Sequence, residues 1–354
     1  MSEGRLLREY VKRLAQRIGR PVRLMEVCGT HTVSIFRHGI RAMLPEGVDL
    51  LSGPGCPVCV TSIEDIDWAI AFCKQVGGVI ATFGDMMKVP GSDMNFFQAR
   101  AEGADIRFVY SPVDALNIAV EEPDKEVVFF ATGFETTSPT VAAVLKRALD
   151  ERVGNFYIYS VHKLVPPALK ALVEDKEVRV DGFILPGHVS TIIGSRGYEF
   201  LARQYKLPGV ITGFSPEEIM QGIAMLLEQI LQGRAEIEIQ YKKVVRPEGN
   251  PQALRLLEDV FTLADSYWRG IGMIPQSGLE PAEQYSEHDA KQAFRLEFTS
   301  KPEPRGCSCG EVLRGVKKPT DCPLFRKVCT PERPVGACMV STEGSCAAYY
   351  KYSY

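Results

Sequence analysis

Nowhere in this chain of 354 residues is there a run of the ~18 to 20 apolar residues that a membrane-crossing helix needs, and mean hydropathy is near zero. A membrane partner is therefore not expected. A secretory leader is also lacking, because Ser2 to Gly19 is charged and amphipathic, with Leu6, Leu7, Tyr10, Val11, Leu14 and Ile18 at helical spacing. The expected compartment is the cytoplasm. No Walker A sequence and no Gly-x-Gly-x-x-Gly is present, so nothing argues directly for a nucleotide. Neither charge sign dominates: 41 Lys and Arg stand against 44 Asp and Glu, a balance of −3 that argues against nucleic acid as a partner. Residues 301–354 do carry nine basic against five acidic side chains, which suits an acidic redox partner or, more simply, a solvated surface around anionic thiolates. Tandem repeats, heptads and low-complexity segments are missing too.

What the chain does have is cysteine. Six of its ten cysteines fall in the last 48 residues, as Cys307, Cys309, Cys322, Cys329, Cys338 and Cys346, among glycines, prolines and basic residues. In a reducing compartment such clusters serve metals or redox chemistry more often than permanent bridges. The spacings are neither those of zinc knuckles nor the short ferredoxin run. They point to a [4Fe–4S] cluster wrapped by loops, with two thiols left over; zinc, disulfides and plain core cysteines are the alternatives.

A second sulfur set lies near the front. Cys28 opens Cys28-Gly-Thr30-His31, which places a thiol, a hydroxyl and an imidazole within four residues, as ligation or acid–base work requires. A Cys/His protease dyad finds no signature here, and a second cysteine pair has no place in it. Cys56-Pro-Val-Cys59 follows Gly53-Pro-Gly55, with Ser62 and Asp65 placed to open a helix. Such a pair cycles through a disulfide or chelates a soft metal, and a nearby helix N-terminus is expected to favour its thiolates. Cys73 lies in register with Ile63, Ile66 and Ile70 and is expected to be a packed helix residue.

Eight short apolar runs, starting at Val22, Val48, Val79, Ile106, Val127, Phe156, Gly182 and Val210, are spaced by helix-length stretches, the pattern of parallel βαβ units. Four and four, they suggest an α/β fold of two similar parallel-sheet halves facing a cleft, followed by a mixed C-terminal domain. The expected division is a helix over 1–20 packing on the C-terminal domain, one α/β domain over 21–122, another over 123–233, and the cysteine-rich domain over 234–354. Ser215-Pro-Glu-Glu218 should open a helix running to about Gln232, Ile237 to Val245 reads as a strand, and Pro251 to Trp268 as a helix. Ligands bind at the C-terminal ends of strands in such sheets. Cys28, Cys56, Cys59, Asp85, Glu135, His162 and His188 all follow a predicted strand and are expected to share the cleft. Glu135 is a candidate proton relay, and each histidine is a base, a ligand or a satisfied structural group.

MEVCGTHT, GPGCPVC, TFGDMMKVPG, ATGFETTSPT, LPGHVSTIIG and the tail from CGEVLRG through PTDCPLF, VCTP and PVGACMVSTEGSCAAYY together resemble the HypD family of hydrogenase maturation factors over nearly the whole chain. The resemblance implies a redox-active scaffold that works only in a complex, on which the Fe(CN)2CO group of [NiFe]-hydrogenase is built with a HypC-type chaperone and a HypE-type cyanide donor. It implies iron at Cys28, Cys56 and Cys59, or thiol redox support for that iron; Thr30 and His31 stay candidates through their place next to Cys28. It also implies a [4Fe–4S] cluster, whose ligands are taken as Cys307, Cys322, Cys329 and Cys346, leaving Cys309 and Cys338 as the spare redox pair or as alternative ligands. This combination looks like ferredoxin:thioredoxin reductase. The competing readings are a free-standing iron–sulfur disulfide reductase and a structural zinc module, and the electron donor stays unassigned.

Overall fold

The computed structural model describes residues 3–353. All eight apolar runs form strands, which gather into two wholly parallel sheets. The first has the order β2 (Val48–Ser52), β1 (Val22–Glu26), β7 (Gly182–Leu185), β8 (Gly209–Ile211), β9 (Ile237–Ile239). The second has the order β4 (Ile106–Val109), β3 (Val79–Phe83), β5 (Val127–Ala131), β6 (Phe156–Ser160). Every residue of β5 is buried, as a strand covered on both faces by helices requires.

The two halves are not consecutive in sequence. The second sheet is inserted between β2 and β7 of the first, so a boundary at residue 122 does not separate them. Alternating strands and helices predict a parallel sheet but not which strands share it, because that depends on pairing rather than on local pattern. The helix Glu3–Ile18 corrects a second expectation. Its Val11 and Leu14 pack with Ile219, Ile223, Leu226 and Leu227 of the helix Pro216–Gln232, on the first sheet, instead of joining the C-terminal region.

Helix Pro216–Gln232 runs as expected. Ser215 Oγ accepts from Glu218 N–H at 3.2 Å while the Glu218 carboxylate accepts from Ser215 N–H at 3.0 Å, and Gly233 ends the helix at φ +66°. Ile237–Val245 yields only the three-residue edge strand β9. The periodicity over Pro251–Trp268 is helical only to Val260; Phe261–Trp268 is strand β10, paired antiparallel with β11 (Gly272–Pro281). Phe, Thr, Tyr and Trp favour a strand there, and Gly270 and Gly272, both at positive φ, let the chain reverse. This hairpin docks where β6 ends, Leu164 N–H donating to the Ser277 carbonyl at 2.9 Å.

Beyond Pro281 the chain is short helices and turns that pack into the same large core as both sheets. Among the described residues no helix is long and apolar enough to cross a membrane.

Candidate thiol centre

Strand register sets the first half of the site. Val22 to Glu26 pair one for one with Val48 to Ser52, Glu26 with Ile184, and Leu185 with Ile211, so the four strands end nearly flush. Cys28, the Gly53–Cys59 loop, His188 and Phe214 therefore meet along one edge. Gly55 approaches Cys28 so closely that a Cβ there would lie 2.5 Å from Cys28 Cα, and Gly29 N–H donates to the Gly55 carbonyl at 2.8 Å. Only glycine tolerates that approach.

Cys28 precedes the helix Gly29–Arg37, and the backbone N–H groups of Thr30 and His31 favour its thiolate. Burial nonetheless pushes the thiol up to about 12, and the Glu343 and Glu26 carboxylates push the same way. Cys28 is thus a neutral thiol at pH 7, and a cation at its sulfur would reverse that balance. Burial also raises Cys59 well above the ordinary thiol range, so desolvation overrides the helix-end effect expected for it.

The C-terminal segment closes over this edge. Thr30 Oγ donates to Glu343 at 2.8 Å, Ser341 Oγ to Asp85 at 3.5 Å, and Glu343 N–H to Ser341 Oγ at 3.2 Å. Neither Glu343 nor Ser341 stands out in the sequence; their turn-forming stretch just before Cys346 is the one signal it offers. The same segment delivers the tail sulfurs. Cys59 has Cys56 and Cys338 as neighbours, and Cys338 has Cys309 and Cys346 as well, with Gly344 set against both Cys59 Sγ and the Cys338 carbonyl. Cys307 adjoins Cys309, and Cys329 feels both. The two sulfur sets, remote in sequence, come together where Cys59 neighbours Cys338.

Glycines clear the way for this approach. A Cβ on Gly336 would come within 2.6 Å of Cys307 Sγ and closer still to Cys309 Sγ, and one on Gly344 would meet Cys59 Sγ at 3.0 Å. Cys322 lies further out, its thiol 3.9 Å from the Gly306 carbonyl.

A [4Fe–4S] cluster fits this tail. The donor set is sulfur without histidine, it sits on turns and at the starts of short helices, and Val335 N–H already points at Cys329 Sγ at 3.4 Å, the kind of contact that stabilises a cluster thiolate. Crowded, buried thiols resist ionisation unless a cationic centre or a disulfide absorbs the charge, and burial and neighbouring sulfurs raise Cys307, Cys329, Cys338 and Cys346. Among the described residues no three Cys, His, Asp or Glu side chains gather around one ion position. Cluster thiolates do not converge in that way, each binding a different iron.

The remaining candidates separate. His31 is buried, its Nε2 shared between the Gly213 carbonyl at 3.0 Å and Thr212 Oγ at 2.9 Å, and burial lowers it to about 4. It ties the helix Gly29–Arg37 to the end of β8. His188 is exposed at its edge and stacks on Phe214 with centroids 4.1 Å apart. His162 bonds Ser160 Oγ at 3.1 Å and abuts Phe261 of the hairpin, with burial lowering it to about 3. Glu135 accepts from Val165 N–H at 2.9 Å, and burial raises it to about 7. Buried Tyr198 feels both Glu135 and Cys28. The contacts of Glu135 and His162 are thus to Val165, Ser160 and Phe261 and include no cysteine. Cys73 is buried in the helix Ile63–Gln75, as expected.

The family model HypD, described as the hydrogenase formation hypA family, matches residues 5–353. The chain belongs to the HypD family. It is 47% identical to hydrogenase maturation factor HypD of Cupriavidus necator, over 96% of this chain and 94% of that protein. With HypD of Escherichia coli strain K12 it shares 44% identity over 98% and 93%, and with a putative hydrogenase expression/formation protein of Methanocaldococcus jannaschii 43% over 97% and 95%. The matches run the length of the chain, so both sheets and the cysteine-rich tail are parts of one HypD-type protein acting in hydrogenase maturation.

Proposed function

We propose that the chain is the scaffold on which the Fe(CN)2CO group of [NiFe]-hydrogenase is assembled, with iron as cargo held between Cys28 and a HypC-type chaperone, and cyanide delivered by a HypE-type protein. The observation that carries this reading is that Cys338 neighbours both Cys309 and Cys59, with Gly344 packed against Cys59 Sγ and the Cys338 carbonyl, so the tail thiols come up to the strand-edge pair.

Cys307, Cys322, Cys329 and Cys346 would hold the [4Fe–4S] cluster, which when bound supplies electrons one at a time. The residues around it convert to two-electron chemistry. With Cys309 and Cys338 as a dithiol and Cys56–Cys59 as a disulfide, the Cys338 thiolate attacks the Cys59 sulfur and displaces the Cys56 thiolate. Cys309 then attacks Cys338 and frees Cys59. One disulfide is reduced, one dithiol is oxidised, and two protons follow the two electrons. Cys56 and Cys59 end as thiols one strand away from Cys28, where attaching cyanide from a thiocyanate-like carrier consumes reducing equivalents. Soft thiolate at Cys28 suits low-spin iron carrying cyanide and carbon monoxide.

Burial also speaks against the free-standing disulfide reductase. Cys56 and Cys59 are 3% and 1% exposed, out of reach of a protein disulfide. The test is anaerobic co-purification with the HypC-type partner, read by infrared spectroscopy. Bands of iron-bound cyanide and carbon monoxide are expected, and their loss in Cys28→Ala with iron–sulfur absorption retained. Bands that persist in Cys28→Ala would overturn the assignment.

A further inference from the structure

A cavity of about 720 Å³ lies between the helix Val165–Glu174, the helix Pro251–Val260 and the β10–β11 hairpin, and no cysteine lines it. Pro167, Leu254, Leu257, Phe261, Ile274 and Leu279 make its walls apolar. The size is that of sites for small organic ligands, which pair an apolar body with a few placed polar groups.

The placed polar group is Glu135. It lines the cavity, is 2% exposed, and spends one oxygen on Val165 N–H at the start of the Val165–Glu174 helix. Pro166 and Pro167 follow and have no N–H to offer, so that single bond satisfies the first positions of the helix, and a glutamine would serve equally well. The second oxygen, Oε2, is buried without a partner. Capping therefore explains half of this carboxyl group and leaves the other half unused, at a cost that a hydrogen-bond donor would remove.

Charge says which donor. Glu174 and Glu258 also line the cavity, against the single ammonium of Lys170, and Glu174 is held by the Tyr205 hydroxyl at 2.5 Å. An anion would be repelled, and a purely apolar molecule would leave Oε2 unpaired. We propose that this cavity binds a small organic cation, an apolar body carrying one primary amine whose ammonium group meets Glu135. The site is separate from the thiol centre and does not depend on the assembly reading.

Isothermal titration calorimetry of the full chain, purified anaerobically, tests this with phenylbutylamine, phenylbutanol and phenylbutyrate, which differ only in the terminal group. The amine is expected to bind best and the carboxylate least. Glu135→Gln should weaken the amine by roughly tenfold or more, since the buried charge loses its counter-charge, while leaving the alcohol unchanged. Leu257→Trp, which fills the cavity with the carboxyl group in place, should abolish binding of all three and decides the matter if Glu135→Gln fails to fold by circular dichroism. The proposal is overturned if the amine does not bind, if the carboxylate binds as well as the amine, if Leu257→Trp still binds, or if Glu258→Gln rather than Glu135→Gln removes the preference for the amine.

Discussion

The strand-edge cysteines and the tail cysteines are placed by different physics. Cys28, Cys56 and Cys59 stand at the ends of paired strands, where parallel register and one close glycine contact decide their positions. The tail cysteines stand on turns, as Cys307, Cys322 and Cys329 do, or in short helical pieces, as Cys309, Cys338 and Cys346 do, held where glycines let the backbone pass the sulfurs and where the Val335 N–H points at Cys329. A ladder of hydrogen bonds positions the first set whether or not anything is bound. The second set is crowded beyond what neutral thiols need, and its order is expected to rest partly on what the sulfurs hold.

Glycine substitutions break this contrast most sharply. Gly55→Ala presses a methyl against Cys28 backbone, which a packed strand edge cannot yield, so a loss of roughly 3 kcal/mol or more is expected in urea unfolding, the upper end of overpacking costs. Gly336→Ala presses against Cys307 and Cys309 sulfurs instead, and should show first as lost iron and visible absorption with the sheets intact by circular dichroism. If Gly336→Ala unfolds the sheets as fully as Gly55→Ala, the two regions are not distinct.

Acid gives the next largest effect, and at the strand edge it acts through His31. The folded pKa of His31, about 4, lies below the ordinary 6.5, so its contribution is fully present above pH 6.5 and lost as pH falls through 6.5 towards 4. From that shift the loss is on the order of 3 kcal/mol, and urea midpoints of His31→Gln should vary less between pH 7 and 4.5 than those of the unaltered chain. Equal pH dependence in both would contradict this placing of His31.

The smallest effect sharpens the seam between the regions. Thr30→Val removes the hydrogen bond to Glu343 and should cost about 1 kcal/mol, read as a lower urea midpoint, with the iron content of the tail unchanged. A loss of iron in Thr30→Val would mean that the tail depends on the strand edge for its order.

Much of the strand edge is legible in the residues alone. The eight apolar runs are strands because a buried parallel strand needs a short continuous apolar stretch, and Ser215 and Glu218 announce their helix by the capping pair they form. What stays hidden is pairing at a distance. Nothing local in Val79–Phe83 says that its sheet is an insertion into another, and nothing near Cys59 says that its neighbour is Cys338. Phe261–Trp268 misleads because its apolar spacing suits a helix until the partner strand is known. Glu343 escapes notice because a carboxylate on a turn acquires its role only from what the fold sets against it.

The claim at the centre is that Cys59 and Cys338 exchange with one another, so that the two sulfur sets act as one. Peptide mass mapping of Cys309→Ser, with Cys56–Cys59 oxidised and Cys338 reduced under argon and then quenched by alkylation, asks this directly. Without Cys309 to resolve it, a Cys59–Cys338 mixed disulfide should accumulate. If Cys338 is recovered only as the alkylated thiol, with Cys56–Cys59 intact, the exchange does not occur and the account fails.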